Sequence, residues 1–213
     1  EIDRPEPVSD QLLVEVHAAS VNPVDTKVRA GIQGKEPPSL PSTPGTDFAG
    51  VVVEVGDDAT SFSVGDHVVG DYLNRWTRYQ GSFAEYTAVP LDRVAPLPPD
   101  VPFEQAAGVA HVGTTAWAAL IDYGGMQLGD TVLIHGGGGH VAVQLAHCAG
   151  ADVITTAGSD DARARLRELG ADHVFDYDRA DLGEAIADVG APDVIMDHMI
   201  DRYLDMDYQV AAT

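Results

Sequence analysis

Cysteine and lysine are unusually scarce in this sequence. Cys148 is the single cysteine among 213 residues, so an internal disulfide and a cysteine-rich zinc site are both excluded. Lysine occurs only at Lys27 and Lys35, and 34 Asp and Glu residues against 12 Lys and Arg give a net charge of −22. A surface this acidic repels nucleic acid and anionic membranes. No apolar run approaches the ~20 residues of a membrane-spanning helix, so we expect a cytoplasmic protein without nucleic-acid or membrane partners.

The acidic residues are spread along the chain rather than gathered in a tail, so they do not form a disordered acidic arm. Two interpretations are open. An ordinary acidic enzyme has such a surface, and so does a protein adapted to molar salt, where screening removes the self-repulsion of the charges. The scarcity of lysine favours the halophilic interpretation.

The first half of the sequence predicts short β-strands joined by turns. Alternating or β-branched apolar residues recur in four stretches, at 11–21, 48–56, 65–70 and 83–89. Four prolines fall within 95–102, which predicts a linker. We therefore place a β-rich first domain at 1–98.

The second half changes to an alternation of strands and helices, after a helical stretch at 103–124. Four apolar stretches predict strands, at 131–136, 152–158, 173–177 and 192–199. A helical pattern follows each of them, at 140–149, 160–170, 179–189 and from 201. This alternation predicts a parallel, doubly wound α/β sheet in a second domain at 99–213. A complete nucleotide-binding sheet of this type has six strands, so the predicted sheet is incomplete.

The stretch IHGGGGHVAVQLA (134–146) joins the first of these strands to its helix. A glycine turn at this point lets the backbone approach a dinucleotide pyrophosphate, and the helix N-terminus favours its charge. The stretch 137–142 fits the pattern G-x-G-x-x-A. The predicted cofactor-binding residues of this turn are Gly136, Gly137, Gly138, Gly139, His140 and Val141.

The second strand of this series ends in Gly158 and Ser159 rather than in an acidic residue. NAD-dependent enzymes place an Asp or Glu there to hold the ribose 2′-hydroxyl, so its absence leaves room for a 2′-phosphate. Arg163 is a candidate cation for that phosphate, or a residue on a solvated helix face, while Asp160 and Asp161 oppose the phosphate electrostatically. The sequence favours NADPH as cofactor, with NADH possible.

Six blocks of the sequence resemble one known family, in the family's order. They are SVNPVDTKVRAG (20–31), PGTDFAGVVVEVG (44–56), FSVGDHVVG (62–70), GSFAEYTAVPLDRVAPLP (81–98), GTTAWAAL (113–120) and ELGADHVFDY (168–177). Each block alone is a weak signal, whereas together they cover nearly the whole chain. They resemble the zinc-free quinone oxidoreductase branch of the medium-chain dehydrogenase/reductase superfamily, which includes zeta-crystallin.

The resemblance implies an α/β protein with a GroES-like β-rich N-terminal domain followed by an incomplete Rossmann doubly wound parallel sheet, with the active site in the cleft between them. It also implies a truncated chain, because the family extends before Glu1 and well beyond Thr213. Complete relatives are often dimers, so a homodimer is expected for the complete protein. The glycine turn is about three residues shorter than the family's, which leaves open whether it binds the cofactor.

Zinc-dependent relatives hold their metal with a Cys in the first block and Gly-His-Glu in the second. The corresponding residues here are Asn22 and Gly45–Asp47, and neither Asn nor Thr is a usual zinc ligand. Other potential ligands gather near the glycine turn, at His135, His140, His147 and Cys148. Their spacing on the predicted helix does not bring them to one point, so we predict no metal.

By resemblance, Asn22, Asp25 and Thr115 map to positions around the nicotinamide and the substrate. Asn22 would donate a hydrogen bond to a carbonyl oxygen, and Thr115 would contact the nicotinamide. Asp25 is equally well explained as a loop cap. These three residues are the predicted catalytic residues.

Aromatic residues complete the set of candidates. Tyr177, at the end of the third strand, matches a family tyrosine near the adenosine phosphate. Tyr72, Trp76 and Tyr79 suit the wall of a pocket for a flat aromatic substrate, or simple rim packing.

These features predict an NADPH:quinone reductase-like oxidoreductase, which transfers hydride from NAD(P)H to a small-molecule quinone or enone without zinc. The cofactor supplies the hydride, so protein groups mainly orient and polarise the substrate. Two alternatives stay open, an enoyl-thioester reductase of the same superfamily and a non-catalytic nucleotide-binding fragment.

Overall fold

A computed structural model describes residues 2–31, 42–72, 81–136 and 139–212 of the chain. The chain divides into two compact units, Glu1–Val112 and Gly113–Thr213. Within the described residues, no helix combines the length and the apolar character needed to cross a membrane.

The first unit is built on an antiparallel sheet with strand order β4-β1-β2-β3-β5. Its strands are β1 Gln11–Ala18, β2 Asp47–Val55, β3 His67–Asp71, β4 Tyr86–Pro90 and β5 Val94–Pro96. Apolar side chains from these strands form a core that includes Leu12, Val14, Phe48, Val52 and Val68. Phe48 pairs with Gly70 across β2 and β3. A Cβ at Gly70 would lie 2.5 Å from the Phe48 ring, so a glycine is needed opposite this phenylalanine.

Two elements of the first unit are absent from the sequence prediction. Helix α1 (Pro23–Arg29) has Pro23 at its first position and Asn22 as its N-cap, a combination that favours a helix start. Strand β5 lies in the proline-rich stretch that predicts a linker, and Val69 pairs with Ala95. The proline of β5 is tolerated because this strand lies at the edge of the sheet.

Helix α2 (Phe103–Trp117) contributes its first half to the first unit. Ala106 and Ala107 pack in one cluster with Ala49 of β2 and with Leu97. The predicted helical stretch at 103–124 is helical throughout most of its length, with Ala118–Tyr123 as a π-helical segment after α2.

The second unit is a four-stranded parallel sheet with order β8-β7-β6-β9, which confirms the predicted α/β architecture. Its strands are β6 Thr131–Ile134, β7 Asp152–Ala157, β8 His173–Asp176 and β9 Val194–Met196. The helices that follow them are α3 His140–Cys148, α4 Asp160–Glu168, α5 Leu182–Val189 and α6 Ile200–Val210. Each predicted strand–helix pair is present, with ends shifted by a few residues.

Both faces of this parallel sheet are covered, which explains why its strands contain adjacent apolar residues. Along β6, Val132 and Ile134 pack in one cluster with residues of α3 and α4. Leu133 belongs to the other cluster, which contains residues of α5 and α6. Successive side chains of a strand point to opposite faces, so three adjacent apolar residues serve two cores.

Candidate functional site

The first unit gathers five polar residues, Asn22, Asp25, Asp47, Asp71 and His111, which we call the carboxylate–histidine cluster. Asp47 and Asp71 are partners at one end of the β2–β3 ladder. Asn22 caps α1 and Asp25 lies in its first turn, while His111 lies on α2. Elements far apart in sequence therefore bring three carboxylates and one imidazole together.

Asn22 is fixed by the buried carboxylate of Asp47. Its Nδ2 donates to Asp47 Oδ2 at 2.8 Å and to Ser20 Oγ at 3.2 Å. Asp47 also accepts hydrogen bonds from the Ser20 backbone amide at 2.8 Å and the Ser20 hydroxyl at 2.6 Å. The predicted donor to a substrate carbonyl thus has two acceptors within the protein, and the longer bond to Ser20 is the one more easily exchanged.

Asp25 is committed to the fold through both carboxylate oxygens. It accepts the Asn22 backbone amide at 2.7 Å and the Thr46 hydroxyl at 2.6 Å. The first of these bonds caps α1, as the alternative interpretation of Asp25 expects. A catalytic role for Asp25 stays a prediction.

His111 and Asp71 are the members of the cluster that sequence analysis missed. His111 Nδ1 lies 3.2 Å and 3.3 Å from the two carboxylate oxygens of Asp71. Their side chains are only 12% and 9% exposed. The hydrogen bond to Asp71 raises the pKa of His111 against the opposing effect of burial, and the charges of Asp71, Asp47 and Asp25 raise it further.

A signal for His111 was present in the sequence. His111 precedes the predicted Thr115 by four positions on one predicted helix, and residues at this spacing share a helix face. Asp71, in contrast, carries no local signal, because its partner lies 40 positions away in the chain.

Thr115 lies on α2 in the second unit, where it is partly buried. The first unit therefore contains the predicted residues Asn22 and Asp25, and the second contains Thr115. The proposed contact of Thr115 with the nicotinamide stays a prediction.

Tyr72 is a core residue, which corrects its interpretation as a pocket wall. Its side chain is 4% exposed, its ring packs 5.6 Å from that of Phe48, and its hydroxyl is hydrogen-bonded to Thr87. Burial raises the pKa of Tyr72 above its usual range. The two other aromatic candidates, Trp76 and Tyr79, lie outside the described residues.

The glycine turn of the second unit connects β6 to α3. Gly136 has a φ of 69°, which favours glycine, and its amide donates to Thr156 Oγ1 at 3.2 Å. Gly139 is the N-cap of α3, and a Cβ there would lie 2.3 Å from Ile134 Cγ2. The predicted residues Gly137 and Gly138 lie outside the described residues, while His140 and Val141 form the first turn of α3.

The position of this turn in the sheet fits a dinucleotide. The chain runs from β6 through β7 to β8 on one side and then returns to β9 on the other side of β6. The carboxyl end of β6 is therefore a topological switch point, where open α/β sheets bind ligands. A helix of nine residues begins there, so its first amides face the same edge.

A buried histidine–aspartate pair includes the residue directly before the glycine turn in the chain. His135, which precedes Gly136, is fully buried, and its Nε2 lies 2.8 Å from Asp207 Oδ1. Its ring stacks on Tyr203 with centroids 4.2 Å apart. These two contacts join the end of β6 to α6, and burial raises the pKa of Asp207.

The end of β7 is where the adenosine portion of a cofactor would lie. Gly158 is exposed, and a Cβ there would lie 2.2 Å from the Tyr177 hydroxyl, so a glycine is needed for Tyr177 to approach. Ser159 caps α4 by accepting the Ala162 amide at 3.2 Å. The structure thus brings the predicted residues Gly158, Ser159 and Tyr177 to one place.

Two arginines lie near this place and differ in their surroundings. Arg163 is 16% exposed and is bonded to Asp160 at 2.6 Å and to Asp176 at 2.9 Å, so it does not lie on a solvated face. Arg202 is 41% exposed, lies 4.8 Å from the centroid of the Tyr177 ring and pairs with Asp178 at 2.6 Å. Sequence analysis missed Arg202, because 25 residues separate it from Tyr177.

No group of three His, Cys, Asp or Glu residues suited to holding a metal ion is found among the residues that the structure describes.

Both units match known protein families. Residues 8–99 match the alcohol dehydrogenase GroES-like domain family, and residues 137–213 match the family described as zinc-binding dehydrogenase. The quinone oxidoreductase of Mus musculus is 35% identical over 201 residues, which are 92% of this chain and 59% of the mouse protein. The chain thus spans less than two thirds of that relative's length.

Solved structures agree with this result. An NAD-dependent alcohol dehydrogenase has a TM-score of 0.88 and 31% identity, with 100% of this chain and 69% of that chain covered. A quinone oxidoreductase of Escherichia coli complexed with NADPH has a TM-score of 0.76 and 31% identity over 89% of this chain and 57% of that one. The CurK enoyl reductase has a TM-score of 0.86 and 26% identity over 99% and 65% of the two chains. The chain therefore belongs to the medium-chain dehydrogenase/reductase superfamily, and quinone oxidoreductases are among its relatives.

Proposed function

We propose that this protein is an NAD(P)H-dependent reductase that prefers NADPH and transfers hydride to a quinone or a similar conjugated carbonyl, without zinc. The observation that carries the proposal is the glycine turn at the switch point of the sheet, together with a β7 strand that ends in Gly158 and Ser159 instead of an acidic residue. The similarity to a quinone oxidoreductase complexed with NADPH supports it.

The residues of the second unit fit a dinucleotide. Gly136 and Gly139 let the backbone come close to the pyrophosphate, and the first amides of α3, from His140 and Val141, donate to its oxygens. When bound, the nicotinamide supplies the hydride. Thr115 contacts the nicotinamide ring in this proposal.

NADPH preference rests on the cations near Gly158. Arg163 already has two carboxylate partners, so we assign the 2′-phosphate to Arg202, which lies on the face of Tyr177 and is more exposed. Arginine matches phosphate oxygens with a fork of donors. Asp178 would exchange its partner for water when the phosphate binds.

The first unit supplies the substrate contacts in this proposal. Asn22 exchanges its longer bond to Ser20 for the carbonyl oxygen of the acceptor, while its bond to Asp47 keeps the amide oriented. Asp25 fixes the backbone of Asn22 and acts on the substrate only through it. An amide and a threonine hydroxyl are poor zinc ligands, which supports chemistry without that metal.

A titration of NADPH and NADH against the purified chain in molar KCl, followed by cofactor fluorescence, tests the proposal. We expect saturable binding of both, tighter for NADPH. Absence of binding by a folded chain would contradict it and would favour a non-catalytic module.

The similarity to the CurK enoyl reductase favours a second candidate, reduction of an enoyl thioester. The two candidates share the cofactor and differ in the acceptor. Turnover of a crotonyl thioester with NADPH, faster than turnover of 1,4-benzoquinone or 9,10-phenanthrenequinone, would favour the second candidate.

We also propose that the acidic surface is an adaptation to high salt and that the protein is a cytoplasmic homodimer. The net charge of −22 repels itself most strongly at low ionic strength. The free energy of unfolding should therefore rise between about 0.1 M and several molar KCl. A free energy that falls over this range would contradict the adaptation.

A further inference from the structure

The reduction of a conjugated carbonyl requires a proton as well as a hydride, and neither Asn22 nor Thr115 is an acid that could donate this proton. Among the described residues of the first unit, His111 has the geometry of one. Its Nδ1 lies 3.2 Å from Asp71 Oδ1, so Asp71 orients the ring and leaves Nε2 on the opposite side of it. Both side chains are largely buried, so their orientation is fixed by packing.

His111 and Asn22 flank the same pair of carboxylates. Asn22 is bonded to Asp47 at 2.8 Å, Asp47 is the ladder partner of Asp71, and Asp71 contacts His111. The charges of Asp47 and Asp25 also act on His111, so Asn22 and His111 belong to one compact cluster.

The charges that face His111 favour its protonated form. They come from three packed elements, with Asp71 on β3, Asp47 on β2 and Asp25 on α1, and each raises the pKa of His111. Burial acts in the opposite direction but is outweighed by the hydrogen bond to Asp71. A raised pKa keeps the imidazole protonated to higher pH, which suits a general acid.

We propose that His111 is the proton donor of this reduction and that Asp71 is the residue that positions His111. Hydride transfer brings two electrons to the conjugated acceptor and leaves an oxyanion. The Nε2–H bond of the imidazolium breaks as the O–H bond of the product forms. The neutral imidazole keeps its hydrogen bond to Asp71 and takes a new proton from water. This inference rests on the proposed function.

The first test needs no cofactor. NMR titration of the eight histidines in the full chain, with His111 assigned from the His111→Gln variant, gives its pKa directly. We expect a value above the ordinary ~6.5 of histidine, and a lower value in Asp71→Asn. A value at or below the ordinary one in the wild-type chain would overturn the inference.

The second test follows kcat/KM for NADPH and a quinone against pH. We expect the wild-type rate to fall as pH rises through the NMR value, and this alkaline limb to move to lower pH in Asp71→Asn. The variant His111→Gln should lose the limb and about 10²–10⁴-fold in kcat/KM, with NADPH affinity unchanged. His17→Gln, at an exposed position of β1, is the control and should match the wild type.

The outcomes separate this inference from the function on which it rests. A wild-type chain that binds NADPH and reduces no acceptor would overturn both. Turnover with an unchanged pH profile in His111→Gln would overturn the proton donor alone and leave the reductase standing.

Discussion

The two units hold their candidate residues by opposite means. In the first unit, Asp25 accepts two side-chain hydrogen bonds and Asp47 accepts three, all from neighbouring residues. In the second unit, the candidate residues are mainly backbone, with Gly136 and Gly139 at positions that a side chain would strain or block. Removing a side chain should therefore damage the first site, whereas adding a methyl group should damage the second.

Removal of the Asp47 carboxylate should have the largest effect. The variant Asp47→Ala leaves the Ser20 amide and the Ser20 hydroxyl without their acceptor, and it leaves the Asn22 side-chain amide with only its longer bond to Ser20. Unsatisfied buried groups cost ~1–3 kcal/mol each, so we expect the free energy of unfolding to fall by about 3 kcal/mol. Urea unfolding measures it, and Asp57→Ala, at an exposed turn, is the control. A loss equal to that of the control would contradict the network.

Addition of one methyl group should destabilise the protein at the glycine turn but not at a glycine within a helix. Gly139→Ala places a Cβ 2.3 Å from Ile134 Cγ2, and overpacking of this kind costs ~1–3 kcal/mol. Gly108→Ala, on α2 with no atom within 4 Å of the new Cβ, should instead stabilise the protein by ~0.4–1 kcal/mol. Thermal unfolding and NADPH titration compare the pair. Equal effects of the two variants would contradict the close approach of α3 to β6.

Substitution of the two arginines near Gly158 should have different effects on the affinities for NADPH and NADH. Arg202→Gln should weaken NADPH about tenfold while leaving NADH unaffected, because one charge-assisted contact to the 2′-phosphate is lost. Arg163→Gln should weaken both cofactors alike, because Arg163 holds Asp160 and Asp176 in place. Fluorescence titrations with both cofactors measure the ratio. If Arg163→Gln changed the ratio of NADPH to NADH affinity more than Arg202→Gln did, the 2′-phosphate would be assigned to Arg163 instead.

The smallest expected effect is the pH dependence of stability that His111 contributes. Its pKa is raised in the folded state, so its stabilising contribution is fully present below the unfolded value of ~6.5 and is lost as pH rises through the folded value. Asp71→Asn should remove this slope. Urea unfolding at several pH values between about 6 and 9 measures it, and an identical slope in wild type and variant would contradict the pairing.

The second unit was predictable because its signals are local. Each strand of the sheet contains adjacent apolar residues, and each helix follows within a few residues. The glycine turn and the Gly158 position also follow directly from the order of elements. In the first unit, α1 was missed although Asn22 and Pro23 favour a helix start. Strand β5 was missed because it contains a proline, which a strand tolerates at the edge of a sheet.

The polar contacts of the site could not be predicted in the same way. His111 meets Asp71 across 40 residues, and His135 meets Asp207 across 72. Such pairs depend on how β2 and β3 pair and on where α6 packs, and no periodicity of the sequence reports either. For Arg163 the sequence predicted the position near Gly158. It did not predict that the guanidinium forms ion pairs with Asp160 and Asp176.

A single-turnover reaction tests most directly whether bound NADPH reduces a quinone. The chain is saturated with NADPH in molar KCl, mixed rapidly with 9,10-phenanthrenequinone, and followed by the loss of NADPH absorbance. We predict rapid loss of the bound cofactor, slowed in Asn22→Ala. Absorbance that stays constant, although fluorescence shows that NADPH is bound, would contradict the account.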